Sequence, residues 1–196
     1  MFNDVAVKLF HVEQFSTKNA TLLLQGAIIM KIFEKDQQYM QMAIDEAMKA
    51  EALGEVPIGA VIIHKDKVIA RAHNLRETTK NATTHAELSA IQDACREMDN
   101  WRLEDTTLYV TLEPCPMCAG AILQSRIPRI VYGARDPKGG CVDSLYSLLN
   151  DPRFNHECEV TEGILGDECG EILTAFFRAI RERKKRLKKE ATSEVE

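Results

Sequence analysis

One histidine and two cysteines constrain this chain more than any other feature of its sequence. His85 lies two residues before Glu87, and Cys115 and Cys118 follow in a P-C-P-M-C stretch thirty residues after the histidine. A neutral imidazole and two thiolates suit Zn²⁺, and three protein ligands leave the fourth tetrahedral position for water. The fold must therefore bring two distant stretches of sequence to one point.

The spacing of the two cysteines predicts that they lie in the first turn of one helix. Residues three apart in a helix are neighbours, and the partial positive charge at a helix N-terminus favours thiolates. Pro114 and Pro116 suit the entry to a helix, where no intrahelical N–H bond is lost. We expect His85 to enter the site from the start of a second helix, over residues 84–98.

The charge of the predicted ligand set assigns a role to Glu87. Zn²⁺ with two thiolates and a neutral imidazole sums to about zero, so it should acidify its water less than a three-histidine site does. A nearby base is then useful, and Glu87 is the carboxylate that the H-x-E motif supplies. The alternatives are a structural zinc half-site, which needs a fourth protein ligand, and a redox C-x-x-C pair, which leaves His85 and Glu87 unexplained. The whole pattern is that of the zinc nucleobase deaminases.

The hydrophobic pattern predicts alternating helices and strands. Apolar residues recur at helical spacing in the first helix, and the runs that follow are short and rich in β-branched residues. We expect helices over 34–53, 84–98, 114–125, 144–149 and 167–188, and strands over 57–63, 67–73, 107–112, 129–133 and 158–161. This order indicates an α/β fold: a three-layer α/β/α sandwich with a mixed five-stranded sheet and an antiparallel hairpin at one edge.

The two ends of the chain differ from the middle. The apolar run 22–30 is too short for a membrane helix, which needs about 20 residues, and it starts too late for a signal peptide. We expect residues 1–33 to be a disordered or loosely packed extension. The alternative is that translation begins at Met30 and the residues before it are a start-site artefact. We assign residues 34–188 to the zinc domain with its basic C-terminal helix, and residues 189–196 to a tail.

Charge and cysteine content point to a polyanionic partner and a reducing compartment. The net charge is −5, yet residues 178–189 hold eight basic residues and one acid, a local charge of +7, so the rest carries −12. A basic segment on an acidic body favours a localised polyanion contact. The six cysteines are too dispersed for a disulfide framework, which favours the cytoplasm and free thiols outside the C-x-x-C.

Several stretches around the zinc motif resemble the bacterial tRNA-specific adenosine deaminases, and the resemblance spans about residues 35–188. The matching stretches are EVPIGAV (55–61), THAE (84–87), LYVTLEPCPMCAGAI (108–122), VYGARD (131–136), TEGIL (161–165) and FFR (176–178). The resemblance also includes residues 125–127 and 155–156.

This resemblance implies a cytidine deaminase-like fold and hydrolysis of adenosine to inosine at the wobble position of an arginine tRNA. In that reaction water attacks C6 of the base, Glu87 shuttles protons and ammonia is released. The family's zinc ligands fall on His85, Cys115 and Cys118, with one Zn²⁺ per subunit. The resemblance also implies a cytoplasmic homodimer that binds the tRNA anticodon stem-loop, with no membrane contact and no nucleotide cofactor.

Four further residues are candidates for contacting the substrate. The family's base-contacting asparagine falls on Asn74, which could instead be only a turn residue. Phe177 and Arg178 suit an anticodon loop, because unstacked bases and phosphates are recognised by aromatic and basic side chains. At least one of the two adjacent phenylalanines should nevertheless be a core residue. Asp136 is a candidate contact to the nucleotide beside the target.

Two competing functions stay open from the residues alone. A deaminase of free bases, such as guanine or cytosine, could use the same zinc motif, although a small substrate has no need of the basic C-terminal segment. A noncatalytic RNA-binding subunit of a heteromeric deaminase is the second alternative. The presence of Glu87 argues against it, because an inactive subunit does not need a proton shuttle.

Overall fold

The computed structural model describes the backbone of residues 3–193 and the side chains of residues 25–190. Helices alternate with strands along the chain, as the apolar pattern predicts. The elements are α1 (Asn3–Ala52), β1 (Gly59–His64), β2 (Lys67–His73), α2 (Arg76–Thr79), α3 (Ala86–Met98), β3 (Thr106–Leu112), α4 (Pro116–Gln124), β4 (Arg129–Ala134), a 3-10 helix (Leu148–Asn150), β5 (Glu159–Glu162) and α5 (Gly166–Ser193).

The five strands form one mixed sheet in the order β2-β1-β3-β4-β5. Strand β1 is antiparallel to β2 and β3, whereas β3, β4 and β5 run parallel. The edge hairpin turns through Lys65 and Asp66, whose φ values of 49° and 62° match the left-handed turns that follow the twist of paired strands. The predicted mixed sheet with an antiparallel hairpin at one edge is confirmed.

Both faces of the sheet are buried, which explains the unbroken apolar run in β1. Ala60 and Ile62 face a core formed with α3 and α4, while Val61 and Ile63 face a second core formed with α1 and α5. Helix α1 approaches β1 so closely that a Cβ on Gly59 would overlap the helix backbone. The expected three-layer α/β/α sandwich is confirmed.

The boundaries of several elements differ from the predictions. Helix α1 begins at Asn3 rather than at residue 34, and the chain divides into compact units over residues 1–37 and 38–196. The short helix α2 lies between β2 and α3, where no helix was predicted. The predicted helix over 144–149 is not formed, and a 3-10 helix over 148–150 overlaps only its end. Strand β5 ends one residue later than predicted, and α5 continues to Ser193.

The predictions for the two ends of the chain stay predictions. Residues 1–2 and 194–196 lie outside the described part, and the translation start at Met30 is an expectation from the sequence. Among the described helices, none combines the length and apolarity that crossing a bilayer would demand.

Candidate active site

The three predicted metal ligands meet where two helices begin. His85 is the N-cap residue of α3, Cys115 is the N-cap residue of α4, and Cys118 lies in the first turn of α4. Nδ1 of His85 is 3.8 Å from the Cys115 sulfur and 3.6 Å from the Cys118 sulfur. Tetrahedral zinc with ordinary Zn–S and Zn–N distances would separate these atoms by about 3.5 Å. The three side chains therefore fit a zinc ion.

The electrostatics of the cluster also favour a cation. A hydrogen bond from Cys118, with a further one from His85, lowers the pKa of Cys115 to about 4. The hydrogen bond to Cys115 together with burial raises the pKa of Cys118, and the hydrogen bond with Cys115 raises that of His85. One thiolate charge is thus present at neutral pH, and a bound divalent cation would displace the second thiol proton.

Glu87 lies beside this cluster in the first turn of α3. Its side chain is 4% exposed, and burial raises the pKa of its carboxyl. The described metal-ligating cluster consists of His85, Cys115 and Cys118, so Glu87 is a neighbour of the ligands and is not one of them. A buried carboxyl with a raised pKa holds a proton more readily than an exposed one, which suits a group that accepts and returns a proton.

A cleft of about 530 Å³ opens beside the cluster and has His85 in its wall. Three of the four predicted substrate contacts, Asn74, Asp136 and Phe177, also line this cleft. Arg178 lines a neighbouring depression on α5 instead. Arg76, Arg135 and Thr174 also contribute polar groups to the lining, and sequence reasoning missed all three. The chain therefore places an amide, a carboxylate, an aromatic ring and two guanidinium groups around one cavity.

Asn74 directly follows β2 and is held by a buried acid that the sequence analysis missed. Its Nδ2 donates to Oε2 of Glu55 at 3.2 Å, and the Glu55 side chain is 1% exposed. Glu55 also accepts from the backbone amides of Glu77, at 3.1 Å, and Thr78 in α2. The one available signal was an acid in the EVPIGAV stretch, directly before a buried strand.

Glu113 is a second buried acid that sequence reasoning missed. Its carboxylate accepts hydrogen bonds from four backbone amides between residues 136 and 144, at 2.8 to 3.2 Å, and from the hydroxyl of Ser144. Burial alone would raise the pKa of Glu113, but these hydrogen bonds hold it below its usual value. Glu113 lies two residues before Cys115, the N-cap residue of α4. Its hydrogen bonds therefore connect the loop over residues 136–144, which contains Asp136, to the start of the helix that holds the cysteine ligands.

The C-terminal helix presents an aromatic ring and a basic surface. Phe176 is buried and packs edge-to-face on Phe177, with the ring centroids 5.5 Å apart. Phe177 is 43% exposed, so one phenylalanine of the pair is a core residue, as expected. The eight basic residues from Arg178 to Lys189 are all exposed.

All six cysteines of the chain are free thiols.

Comparison with known proteins agrees with this geometry. Residues 34–181 match the MafB19-like deaminase family. The tRNA-specific adenosine deaminase of Bacillus subtilis (strain 168) is 56% identical over 155 residues, which cover 79% of this chain and 96% of the relative. A solved structure from work on A-to-I editing by tRNA:A34 deaminases at the wobble position of transfer RNA is 44% identical, with a TM-score of 0.67, and the match covers 69% of this chain and 99% of that one.

A more distant likeness concerns the fold alone. The solved structure of a guanine deaminase from Nitrosomonas europaea is 22% identical, with a TM-score of 0.62, and the match covers 71% of this chain and 83% of that chain. Similarity at this level indicates a shared architecture. The substrate must be argued from the residues around the cleft.

Proposed function

This chain belongs to the tRNA-specific adenosine deaminases, within the MafB19-like deaminase family, and we propose that it converts adenosine to inosine at the wobble position of a tRNA anticodon. The predicted family and enzyme class are confirmed. The observation that carries the proposal is one cleft that is lined both by the metal ligand His85 and by three candidate substrate contacts. These contacts are Asn74, Asp136 and Phe177. That cavity, of about 530 Å³, is within the usual size range of a small-ligand pocket and suits one nucleotide turned out of a loop.

Zinc is the metal that the ligand set fits best. His85, Cys115 and Cys118 would hold one ion per subunit, because two thiolates and an imidazole are typical zinc ligands and the atoms have suitable separations. When bound, zinc supplies a Lewis acid that lowers the pKa of water. The remaining chemistry falls to the side chains of this chain.

Glu87 performs the proton transfers of the proposed reaction. Hydrolysis joins the water oxygen to C6 of adenine and breaks the bond from C6 to the exocyclic nitrogen, which leaves as ammonia. Glu87 takes a proton from water and delivers it to the ring nitrogen next to C6. It later carries the proton of the new C6 hydroxyl to the leaving amino group, so that ammonia departs and a carbonyl remains at C6. Its burial beside the cluster keeps bulk water from competing for that proton.

The proposed RNA contacts lie on the walls of the cleft and on α5. Asn74 contacts the target nucleotide, Asp136 contacts the adjacent nucleotide, and Phe177 stacks on an unpaired base. Arg178 and the exposed basic residues beyond it attract the phosphates of the anticodon stem-loop. An arginine tRNA as substrate, a homodimeric assembly and a cytoplasmic location belong to the same proposal by family resemblance.

A direct test compares substrates of different classes. Zinc-loaded protein is incubated with an anticodon stem-loop carrying adenosine at the wobble position, with guanine and with cytosine, and the ammonia released is measured. The proposal expects ammonia from the stem-loop only, and sequencing of the treated RNA should read guanosine at the target, because inosine pairs as guanosine. Ammonia from guanine with an untouched stem-loop would assign the chain to the free-base deaminases.

A further inference from the structure

The amide of Asn74 can adopt only one orientation among its hydrogen-bond partners. Its Nδ2 lies 3.2 Å from Oε2 of Glu55 and 3.4 Å from the carbonyl oxygen of Val56. A backbone carbonyl accepts hydrogen bonds and cannot donate them, and the same is true of an ionised carboxylate. Both N–H groups of Asn74 are therefore directed to these two oxygens. The side-chain carbonyl is the polar group that Asn74 can offer to the cleft it lines.

The orientation depends on Glu55 being ionised and immobile. Burial alone would raise the pKa of Glu55, but hydrogen bonds from the backbone amides of Thr78 and Glu77 hold it below its usual value. These amides belong to α2, so the acid is fixed by the backbone of the segment that follows Asn74. Glu55 is consequently a pure acceptor in a defined place.

We propose that Glu55 is a positioning residue that sets the polarity of the cleft by holding Asn74 with its carbonyl toward the bound nucleotide, so that this wall selects a hydrogen-bond donor. The inference rests on the proposed function and deepens it. Adenosine in RNA offers two donors, the exocyclic amino group of the base and the 2′-hydroxyl of the ribose. An acceptor in the same place would face the Asn74 carbonyl and be disfavoured.

The proposal requires a carboxylate at position 55, and a side chain of the same shape that can also donate hydrogen bonds would not fix the orientation of Asn74. A glutamine has the size of Glu55, but its amide can turn either an oxygen or an N–H group toward Asn74. In the second arrangement Asn74 would turn and present N–H groups to the cleft. Glu55→Gln therefore removes the cause of the orientation while keeping the volume of the side chain.

The test is a double-mutant cycle between positions 55 and 74, with kcat and KM measured on a wobble-adenosine stem-loop. Glu55→Gln should lower kcat/KM about tenfold, because a glutamine has one acceptor oxygen where the carboxylate has two and cannot satisfy both Asn74 and the two α2 amides as Glu55 does. Asn74→Asp should lower it about a hundredfold, because two carboxylates then face each other in a buried site. The double variant should regain at least about tenfold over Asn74→Asp, because a glutamine can donate to the new carboxylate.

Independent effects would overturn the proposal: if the two losses simply multiply in the double variant, Glu55 does not act through Asn74. Glu77→Gln is the matched control. It removes an exposed carboxylate from the same segment and keeps the backbone amide that Glu55 uses, so its kcat/KM should stay within about twofold of wild type. Zinc content and the melting temperature, measured for every variant, separate loss of coupling from loss of fold.

A second comparison keeps the proposal testable if Glu55→Gln does not fold. Asn74→Asp retains oxygens for the nucleotide whereas Asn74→Ala retains none, yet the aspartate variant should be the less active of the two. Equal activity, or a more active aspartate variant, would contradict a carboxylate facing position 74. An inactive wild type on every stem-loop would instead refute the proposed function, so the two failures are distinguishable.

The donor that Asn74 recognises can be identified with a stem-loop carrying 2′-deoxyadenosine at the target position. If the partner is the ribose hydroxyl, the deoxy substitution lowers kcat/KM in wild type and changes little in Asn74→Ala. If the partner is the amino group of the base, the deoxy substitution has the same effect in both proteins. The first outcome identifies the ribose hydroxyl as the donor, and the second excludes it and leaves the amino group of the base as the donor that the proposal requires.

Discussion

Nδ1 of His85 lies 3.6 Å from the sulfur of Cys118, although the two residues are 33 positions apart and belong to different helices. The sheet produces this contact. Strands β1 and β3 are neighbours, α3 packs against the sheet, and β3 leads directly into the Cys115 N-cap of α4. Strands β2 and β3 run in the same direction, because both are antiparallel to β1. Helices α3 and α4, which follow them in the chain, therefore begin at the same end of the strands, and their N-termini meet at one point. Partial positive charge from both helices favours thiolates there.

Glu87→Gln should separate metal binding from catalysis. The glutamine keeps the size of the side chain and cannot carry a proton, so the first-order rate at saturating stem-loop should fall by at least about 10²-fold. Zinc content should stay at the wild-type level, because Glu87 is outside the ligand cluster. Single-turnover kinetics and metal analysis on the same sample measure the two quantities.

The control for this variant lies on the same helix. Glu97 is exposed near the end of α3, and Glu97→Gln should leave both the rate and the zinc content unchanged. A Glu87→Gln protein that turns over at the wild-type rate would remove the proton-shuttle role.

Cys115→Ala should abolish both zinc retention and deamination. Two remaining ligands cannot replace the tetrahedral set, and removing one thiolate also removes the charge that attracts the cation. Zinc measured after gel filtration should drop from near one ion per chain to near zero. Cys95→Ala, which removes a half-buried thiol outside the cluster, should keep the metal and the activity. Retention of zinc by Cys115→Ala would require a ligand outside the proposed set of three.

The sequence predicts the metal ligands and the sheet well because both leave local patterns. A helix entry needs prolines and a three-residue ligand spacing, and a strand buried on both faces needs an apolar run such as 58–63. The structure places His85, Cys115 and Cys118 together as those patterns indicate.

The two buried acids could not be predicted in the same way. Glu55 and Glu113 bond mainly to backbone amides, 22 to 31 positions away in the sequence, and any residue can supply an amide. No side-chain pattern therefore marks their partners. Helix α2 was missed for the same reason, because a four-residue helix in a polar loop depends on Glu55 accepting from its amides.

The upstream part of α1 was missed for a different reason. Ile28, Ile29, Met30, Ile32 and Phe33 are all exposed, so the described side chains of residues 25–33 form no buried stripe. Helical periodicity can be detected only where one face is apolar and the other polar. An apolar run without that contrast predicts a helix no better than a strand.

Gly140→Ala should destabilise the domain by disturbing the Glu113 network. A Cβ at position 140 would overlap the Glu113 carboxylate, whose five hydrogen bonds leave it little room to move. Overpacking of this kind costs about 1–3 kcal/mol, which urea denaturation can measure. Because the loop also carries Asp136, KM for the stem-loop should rise as well.

Gly120→Ala is the matched control for that substitution. Gly120 lies inside α4, and no atom outside the helix backbone comes within 4 Å of a Cβ placed there. Alanine should therefore stabilise the protein by about 0.5–1 kcal/mol through helix propensity. Equal stability changes for the two glycine variants would mean that the Glu113 network does not restrict position 140.

Deletion of residues 181–196 should weaken RNA binding and leave the deaminase domain folded. All described residues from Arg181 to Glu190 are exposed, so their removal takes little apolar surface from the core. The stretch from Arg181 to Lys189 holds seven of the eight clustered basic residues and one acid, and phosphate contacts are the main source of salt-dependent affinity. We expect a lower affinity for the stem-loop at low salt and a smaller slope of log K against log salt concentration.

The change in slope is the decisive measurement, because it reports the number of neutralised phosphates independently of fold. Each phosphate of a single-stranded region that is no longer neutralised lowers the magnitude of the slope by about 0.7. Lys184→Gln combined with Lys185→Gln keeps the helix and should lower the slope by up to two such steps. An unchanged slope after both the deletion and the double substitution would make the basic helix ordinary surface. The selectivity for RNA would then have to come from the cleft, where Arg76 and Arg135 are the remaining basic residues.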